Sequence, residues 1–65
     1  MKITVNGEAR VTEAKSLEDL CHELGFSKVK IATARNGDFV PARAREAVAL
    51  ADGDAIEVLS PRQGG

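Results

Sequence analysis

The sequence predicts an α+β domain: one mixed sheet of four to five strands with a single main helix on one face. Three observations carry this. The chain has 65 residues, room for one domain of two layers. Two Asn-Gly pairs, Asn6-Gly7 and Asn36-Gly37, lie between short alternating runs, and such pairs are the strongest short-range signal for a tight hairpin. Only residues 17–24 show the apolar period of an amphipathic helix.

The elements follow in order. Residues 2–6 alternate, with Ile3 and Val5 on one face. After the turn, residues 8–12 return as a second strand, with Ala9 and Val11 expected inward and Glu8, Arg10 and Thr12 outward. Ser16 is a good N-cap and Asp19 completes a Ser-x-x-Asp capping box. Leu17, Leu20, Cys21 and Leu24 form one stripe, and Glu18 and Asp19 complement the helix dipole. Gly25 suits the C′ position, with Phe26 set to fold back on the stripe. A third strand is expected over 29–35, with Val29, Ile31 and Thr33 on one face. The small Ala32 and Ala34 on the other face suggest partial cover there too. Phe39-Val40 is a short strand ended by Pro41, which has no ladder donor. Residues 42–51 read as a loop with one short helical turn. Asp52-Gly53-Asp54 is a turn, and Ala55 to Leu59 is the last strand, with Ile56 and Val58 inward and Ala55, Glu57 and Leu59 facing away. The order is β-β-α-β-β-β. With the helix crossing between the first hairpin and the later strands, this is a β-grasp, the ubiquitin-like arrangement. It would occupy residues 1–59, leaving 60–65 as a flexible tail.

Composition narrows the function classes. Nine Lys+Arg against ten Asp+Glu give a net charge of −1, without the basic excess of a nucleic-acid binder. Two Phe, no Tyr and no Trp leave almost no platform for stacking bases. One Cys and one His cannot close a zinc site and make a conventional active site hard to assemble. Cys21 lies on the helix stripe, where a free Cys packs as a small hydrophobe; His22 lies beside it, off the stripe. A single Cys permits no internal disulfide. With no apolar leader in Met1 to Glu8 and no apolar run beyond Ala47 to Ala51, a reducing cytosol is the expected compartment. Residues 28–45 hold Lys28, Lys30, Arg35, Arg43 and Arg45 against one acid, Asp38. They read as a solvated sheet edge or as a docking patch for an acidic surface.

Four of the six glycines fall at turns or a helix end. Gly64 and Gly65 do not: they follow Ser60-Pro61-Arg62-Gln63, beyond the last strand. A frayed end is one reading. The chemical reading is that two residues without Cβ can thread a narrow channel, presenting an unhindered Gly65 α-carboxylate. A six-residue extended tail reaches about 20 Å, enough to enter a partner's active site while the body docks outside. Leu59, apolar and without a core place, is expected on a partner-binding surface of the exposed sheet face.

The chain resembles the ThiS family, the β-grasp sulfur carriers of thiamin biosynthesis. The matching stretches are Met1-Lys2-Ile3-Thr4-Val5-Asn6-Gly7-Glu8, Arg35-Asn36-Gly37-Asp38-Phe39-Val40-Pro41, Leu50-Ala51-Asp52-Gly53-Asp54-Ala55-Ile56-Glu57-Val58 and the ending Gln63-Gly64-Gly65. The specificity lies in their order, spacing and total length. Arg43 stands one place later than the Arg that often follows the family's proline, and Arg62 replaces a common aliphatic residue or Met. The resemblance implies that an E1-like, ThiF-type enzyme adenylates Gly65 with ATP and Mg²⁺. A persulfide from a donor such as a cysteine desulfurase then leaves a Gly65 thiocarboxylate, whose sulfur thiazole synthase uses. The carrier would be a co-substrate rather than an enzyme, monomeric alone, holding no permanent cofactor or metal and binding neither nucleic acid nor membrane. Gln63 and Gly64 would thread the partner sites; Leu59, Arg43, Arg45 and Arg62 are candidate docking residues. The alternatives are a carrier for molybdopterin or another thiolation pathway, a ubiquitin-like modifier, and a plain β-grasp binding module.

Overall fold

Both Asn-Gly pairs make tight turns in the computed structural model, which describes residues 1–26 and 30–60. Asn6 and Asn36 each adopt φ 52°, followed by Gly7 at 86° and Gly37 at 88°, the paired left-handed conformations that a two-residue hairpin turn requires. The first joins β1 (Lys2–Val5) to β2 (Glu8–Val11), and the second joins β3 (Ala32–Arg35) to β4 (Asp38–Val40).

The first turn corrects the expected facing of β2. It pairs Val5 with Glu8, Thr4 with Ala9, Ile3 with Arg10 and Lys2 with Val11. Directly opposed residues of an antiparallel pair share a face. With Ile3 buried, Arg10 therefore lies on the helix side, while Ala9 and Val11 lie on the open side and are exposed. Thr12 continues the Arg10 parity and is buried. Its hydroxyl donates to Glu23 Oε1 at 2.7 Å and accepts from the Ala14 amide at 3.0 Å. Arg10 donates to Glu23 Oε2, so the last helical residue is bonded to the inner side of this hairpin.

Helix α1 runs Leu17–Glu23, and the Ser16 hydroxyl accepts from the Asp19 amide at 3.0 Å. Leu24 caps it. The Phe26 amide donates to Cys21 O and the Gly25 amide to His22 O, with Gly25 at φ 91°, the bonding pattern of a glycine-terminated helix. Phe26 folds back against the core as expected.

Strand β3 starts at Ala32, not at residue 29. Its partners set this limit: β5 ends at Leu59, opposite Ala32, and β4 ends at Val40, opposite Thr33, with Pro41 next. Ile31 is half-buried ahead of the strand, and Val29 lies outside the described residues. The expected loop with one helical turn is a 3-10 helix over Ala42–Ala47. It packs beside α1 and leads to Leu50, whose amide donates to Lys15 O. Strand β5 (Ala55–Leu59) completes the fold.

The sheet order is β2-β1-β5-β3-β4, with β5 parallel to β1 and antiparallel to β3. The last strand thus lies at the centre, between the two hairpins. One face carries the helix. Ile3, Leu17, Leu20 and Ile56 are essentially inaccessible there, each burial stabilising by about 1.5–3 kcal/mol. Among the described residues, no helix is long and apolar enough to cross a membrane.

Candidate functional site

The end of β5 is the base of the segment that carries the terminal glycines. Successive residues of β5 point their backbone groups to opposite neighbours. Leu59 is opposed by Ala32 of β3. Val58 faces the β1 side, where β1 has already turned away. There the Asn6 side chain replaces the missing backbone: its Oδ1 accepts from the Val58 amide at 2.9 Å and its Nδ2 donates to Val58 O at 3.1 Å. Ser60 follows, exposed. Arg62, Gln63, Gly64 and Gly65 lie outside the described residues, as does most of the expected 60–65 tail.

The sheet face opposite the helix is open around this point. Leu59 is 67% exposed, and Phe39 on β4 is 68% exposed. Ala32 and Ala34 lie between them in the register, Ala32 opposite Leu59 and Ala34 opposite both Glu57 and Phe39. Lys30, Ile31, Ala32, Leu59 and Ser60 line an apolar groove of about 550 Å³ at the same edge. The sequence reasoning placed Leu59 on this face but missed Phe39. Alternation carried the signal: with Val40 buried, Phe39 must face the other way.

Among the described residues, the cations of the basic segment do not form one patch. Arg45 reaches from the 3-10 helix to donate to Thr33 Oγ1 at 3.0 Å and to Ile31 O at 2.8 Å, while Thr33 Oγ1 donates to Val40 O. Its guanidinium thus holds the start of β3. Arg35 is bound to Asp54, with Nε 2.9 Å from Oδ2. Arg43 and Lys30 are exposed, and Lys28 lies outside the described residues.

Asp54 is the buried charge that the sequence reasoning treated only as a turn residue. Its carboxylate accepts from Arg35, from Asn36 Nδ2 at 3.0 Å and from the Ala51 amide at 2.8 Å. Burial alone would raise its pKa. The bonds from Ala51, Asn36 and Arg35, with the Arg35 charge, outweigh that and hold it below the usual carboxylate value. Asn36 also accepts from the Ala55 amide, so the two turn asparagines grip β5 at opposite ends.

Cys21 is buried on the helix stripe. Burial pushes its thiol pKa up, with Arg45 offsetting part of the shift and Glu18 adding to it. His22 is exposed and contacts Glu18 across one helical turn. Among the described residues, no group of three or more His, Cys, Asp or Glu could hold a metal ion.

Comparison with known proteins matches these features. The ThiS family model covers residues 3–65. The crystal structure of a thiamine biosynthesis protein (ThiS) from Geobacter metallireducens superposes with a TM-score of 0.79 at 32% identity, covering all of both chains. A solution structure of a thiamine biosynthesis protein from the same organism gives 0.80 at 32% identity, covering this whole chain and 88% of the other. A curated relative from Paramagnetospirillum magneticum, described as thiazole synthase, is 39% identical over 66 residues. That alignment takes in all of this chain but 20% of the relative, so the chain spans one fifth of its length. With the β-grasp topology and the family match running from β1 through the terminal glycines, the chain belongs to the ThiS family of sulfur carriers of thiamin biosynthesis.

Proposed function

We propose that Gly65 carries the reacting carboxylate of this carrier. An E1-like, ThiF-type enzyme joins it to AMP from ATP with Mg²⁺, and pyrophosphate leaves. The acyl-adenylate is a mixed anhydride, open to attack at its carbonyl carbon. The terminal sulfur of a persulfide, supplied by a donor such as a cysteine desulfurase, displaces AMP to form an acyl disulfide. A second partner cysteine thiol then attacks the donor cysteine's sulfur, closing a partner disulfide and releasing the Gly65 thiocarboxylate. Thiazole synthase takes that sulfur for the thiazole ring. ATP, Mg²⁺ and the sulfur-handling cysteines belong to the partners.

One observation carries this reading: β5 ends at the rim of an exposed apolar face, and the family match continues past it to Gly65. Docking of the adenylating enzyme on Phe39 and Leu59 would hold the body while Gln63 and Gly64 thread its channel, where the lack of Cβ on both glycines permits close approach. The relative described as thiazole synthase, matched over its carrier-like fifth, supports thiazole synthase as the sulfur acceptor.

The test is intact mass. The mass of the purified protein first establishes that Gly65 bears a free carboxylate. Incubation with the adenylating enzyme, ATP and a sulfide source should then replace one carboxylate oxygen with sulfur. No mass change with an enzyme active on another carrier would refute the proposal. Deleting Gly65 should abolish the reaction without unfolding the domain.

A further inference from the structure

The two turn asparagines make the same kind of contact at opposite ends of β5, and only one end leads to the tail. Asn36 holds the start of the strand through the Ala55 amide and Asp54. Asn6 holds its end, with both arms of the side-chain amide on Val58. The parallel β1–β5 ladder proper stops one step earlier, with the Asn6 amide donating to Ile56 O at 2.8 Å. The Asn6 side chain therefore acts as one further peptide unit of β1, laid against a strand that β1 itself no longer reaches. Past Val58 on this side and past Leu59 on the β3 side, no ladder pairing continues among the described residues.

We infer that Asn6 is a positioning residue for the tail: its side chain supplies the β1-side hold on the end of β5, next to the point at which the reacting segment begins. This rests on the proposed role of Gly65. With the clamp in place, the tail starts at Ser60, beside the Leu59 and Phe39 surface. Without it, Val58 loses both partners on the β1 side, and the end of β5 from Val58 to Leu59 is held only through its pairing with β3. The freed length must then be ordered each time the tail enters a partner site. That penalty falls on the bound, reacting complex rather than on docking of the body. Asn is suited to the position for two reasons at once. It tolerates the left-handed turn conformation, and its amide offers one donor and one acceptor in the geometry of a peptide.

The experiment uses Asn6→Gly and Asn36→Gly, both of which keep a residue that accepts positive φ and remove only the side-chain clamp. Asn6→Asp keeps the acceptor for the Val58 amide and loses the donor to Val58 O. Two readouts are taken at a temperature where circular dichroism shows all variants folded. In the free protein, Asn6→Gly should speed amide hydrogen exchange at Val58 and Leu59 by on the order of tenfold, Asn6→Asp by less, and Asn36→Gly by under about twofold. In ATP–pyrophosphate exchange with the adenylating enzyme, Asn6→Gly should lower kcat by about five- to thirtyfold, the equivalent of ordering one more backbone residue. KM for the carrier should stay within about twofold, because docking is untouched. Unchanged protection of Leu59 in Asn6→Gly, or an equal loss of kcat in the two glycine variants, would overturn the inference. Absence of exchange with the wild-type carrier would instead overturn the adenylation reading, with Leu59 protection still deciding whether Asn6 anchors the strand.

Discussion

Replacing Asp54 with Asn removes a charge from the most heavily bonded side chain among the described residues while keeping its shape. The carboxylate is 7% exposed and accepts from Arg35, Asn36 Nδ2 and the Ala51 amide. An asparagine there has one acceptor oxygen, and its own NH₂ must face at least one of these donors. Hydrogen bonds to a charged group contribute about 1.5–3 kcal/mol each. Arg35 is 35% exposed and can turn to water, so the losses do not add in full. The expected cost is about 2–3 kcal/mol at pH 7, from a total of roughly 3–10 kcal/mol for a domain of this size. Urea denaturation followed by circular dichroism measures it. The pH dependence makes the test specific. The folded-state pKa of Asp54 is lowered, so its ionised form is favoured by folding. That contribution is complete above the unfolded value of about 3.9 and is lost as pH falls through the lower folded value. The stability gap between wild type and Asp54→Asn should therefore be constant from pH 7 to 5 and close as pH drops below about 4. A gap under about 0.5 kcal/mol at pH 7, within the ordinary range of surface substitutions, or a gap that does not narrow in acid, would refute the reasoning.

Other substitutions should separate core, surface and docking roles. Arg10→Ala removes a pair whose side chains are 40% and 32% exposed, and denaturation should show a loss under about 1 kcal/mol. Leu20→Ala empties an inaccessible position and should cost about 2–5 kcal/mol by the same assay. Phe39→Ala and Leu59→Ala should leave stability within about 0.5 kcal/mol yet weaken binding of the adenylating enzyme by about tenfold each, measured by calorimetry. Cys21, buried and with its thiol pKa raised, should react with iodoacetamide only in denaturant, as followed by intact mass.

What could be read along the chain was what adjacent residues decide. The Asn-Gly turns, the Ser16 cap, the Leu17-Leu20-Cys21 stripe and the Gly25 stop each depend on a few neighbouring positions, and each stands as expected. The facing of β2 was equally local. A two-residue turn at Asn6-Gly7 opposes Arg10 to the buried Ile3, and the hydrophobicity of Ala9 and Val11 pointed the wrong way because register, not residue type, assigns the face. The candidate site was legible in part: Leu59 by its lack of a core place, Phe39 only through alternation with Val40, whose burial the packing decided.

By itself, the sequence determined the element types, the two hairpins, the helix boundaries and the ending at which a carrier would react, because turn conformation, capping and periodicity are set by short-range sterics and hydrogen bonding. Only the tertiary structure decided what the polar side chains are for. Asn6 and Val58 are 52 residues apart, Asn36 and Ala55 are 19 apart, and Arg45 reaches back 14 residues to Ile31. Those bonds exist because β5, the last strand made, inserts between the two hairpins. Bringing it there buries its backbone groups and Asp54, and each must then find a partner from whichever residues the closed sheet brings within reach.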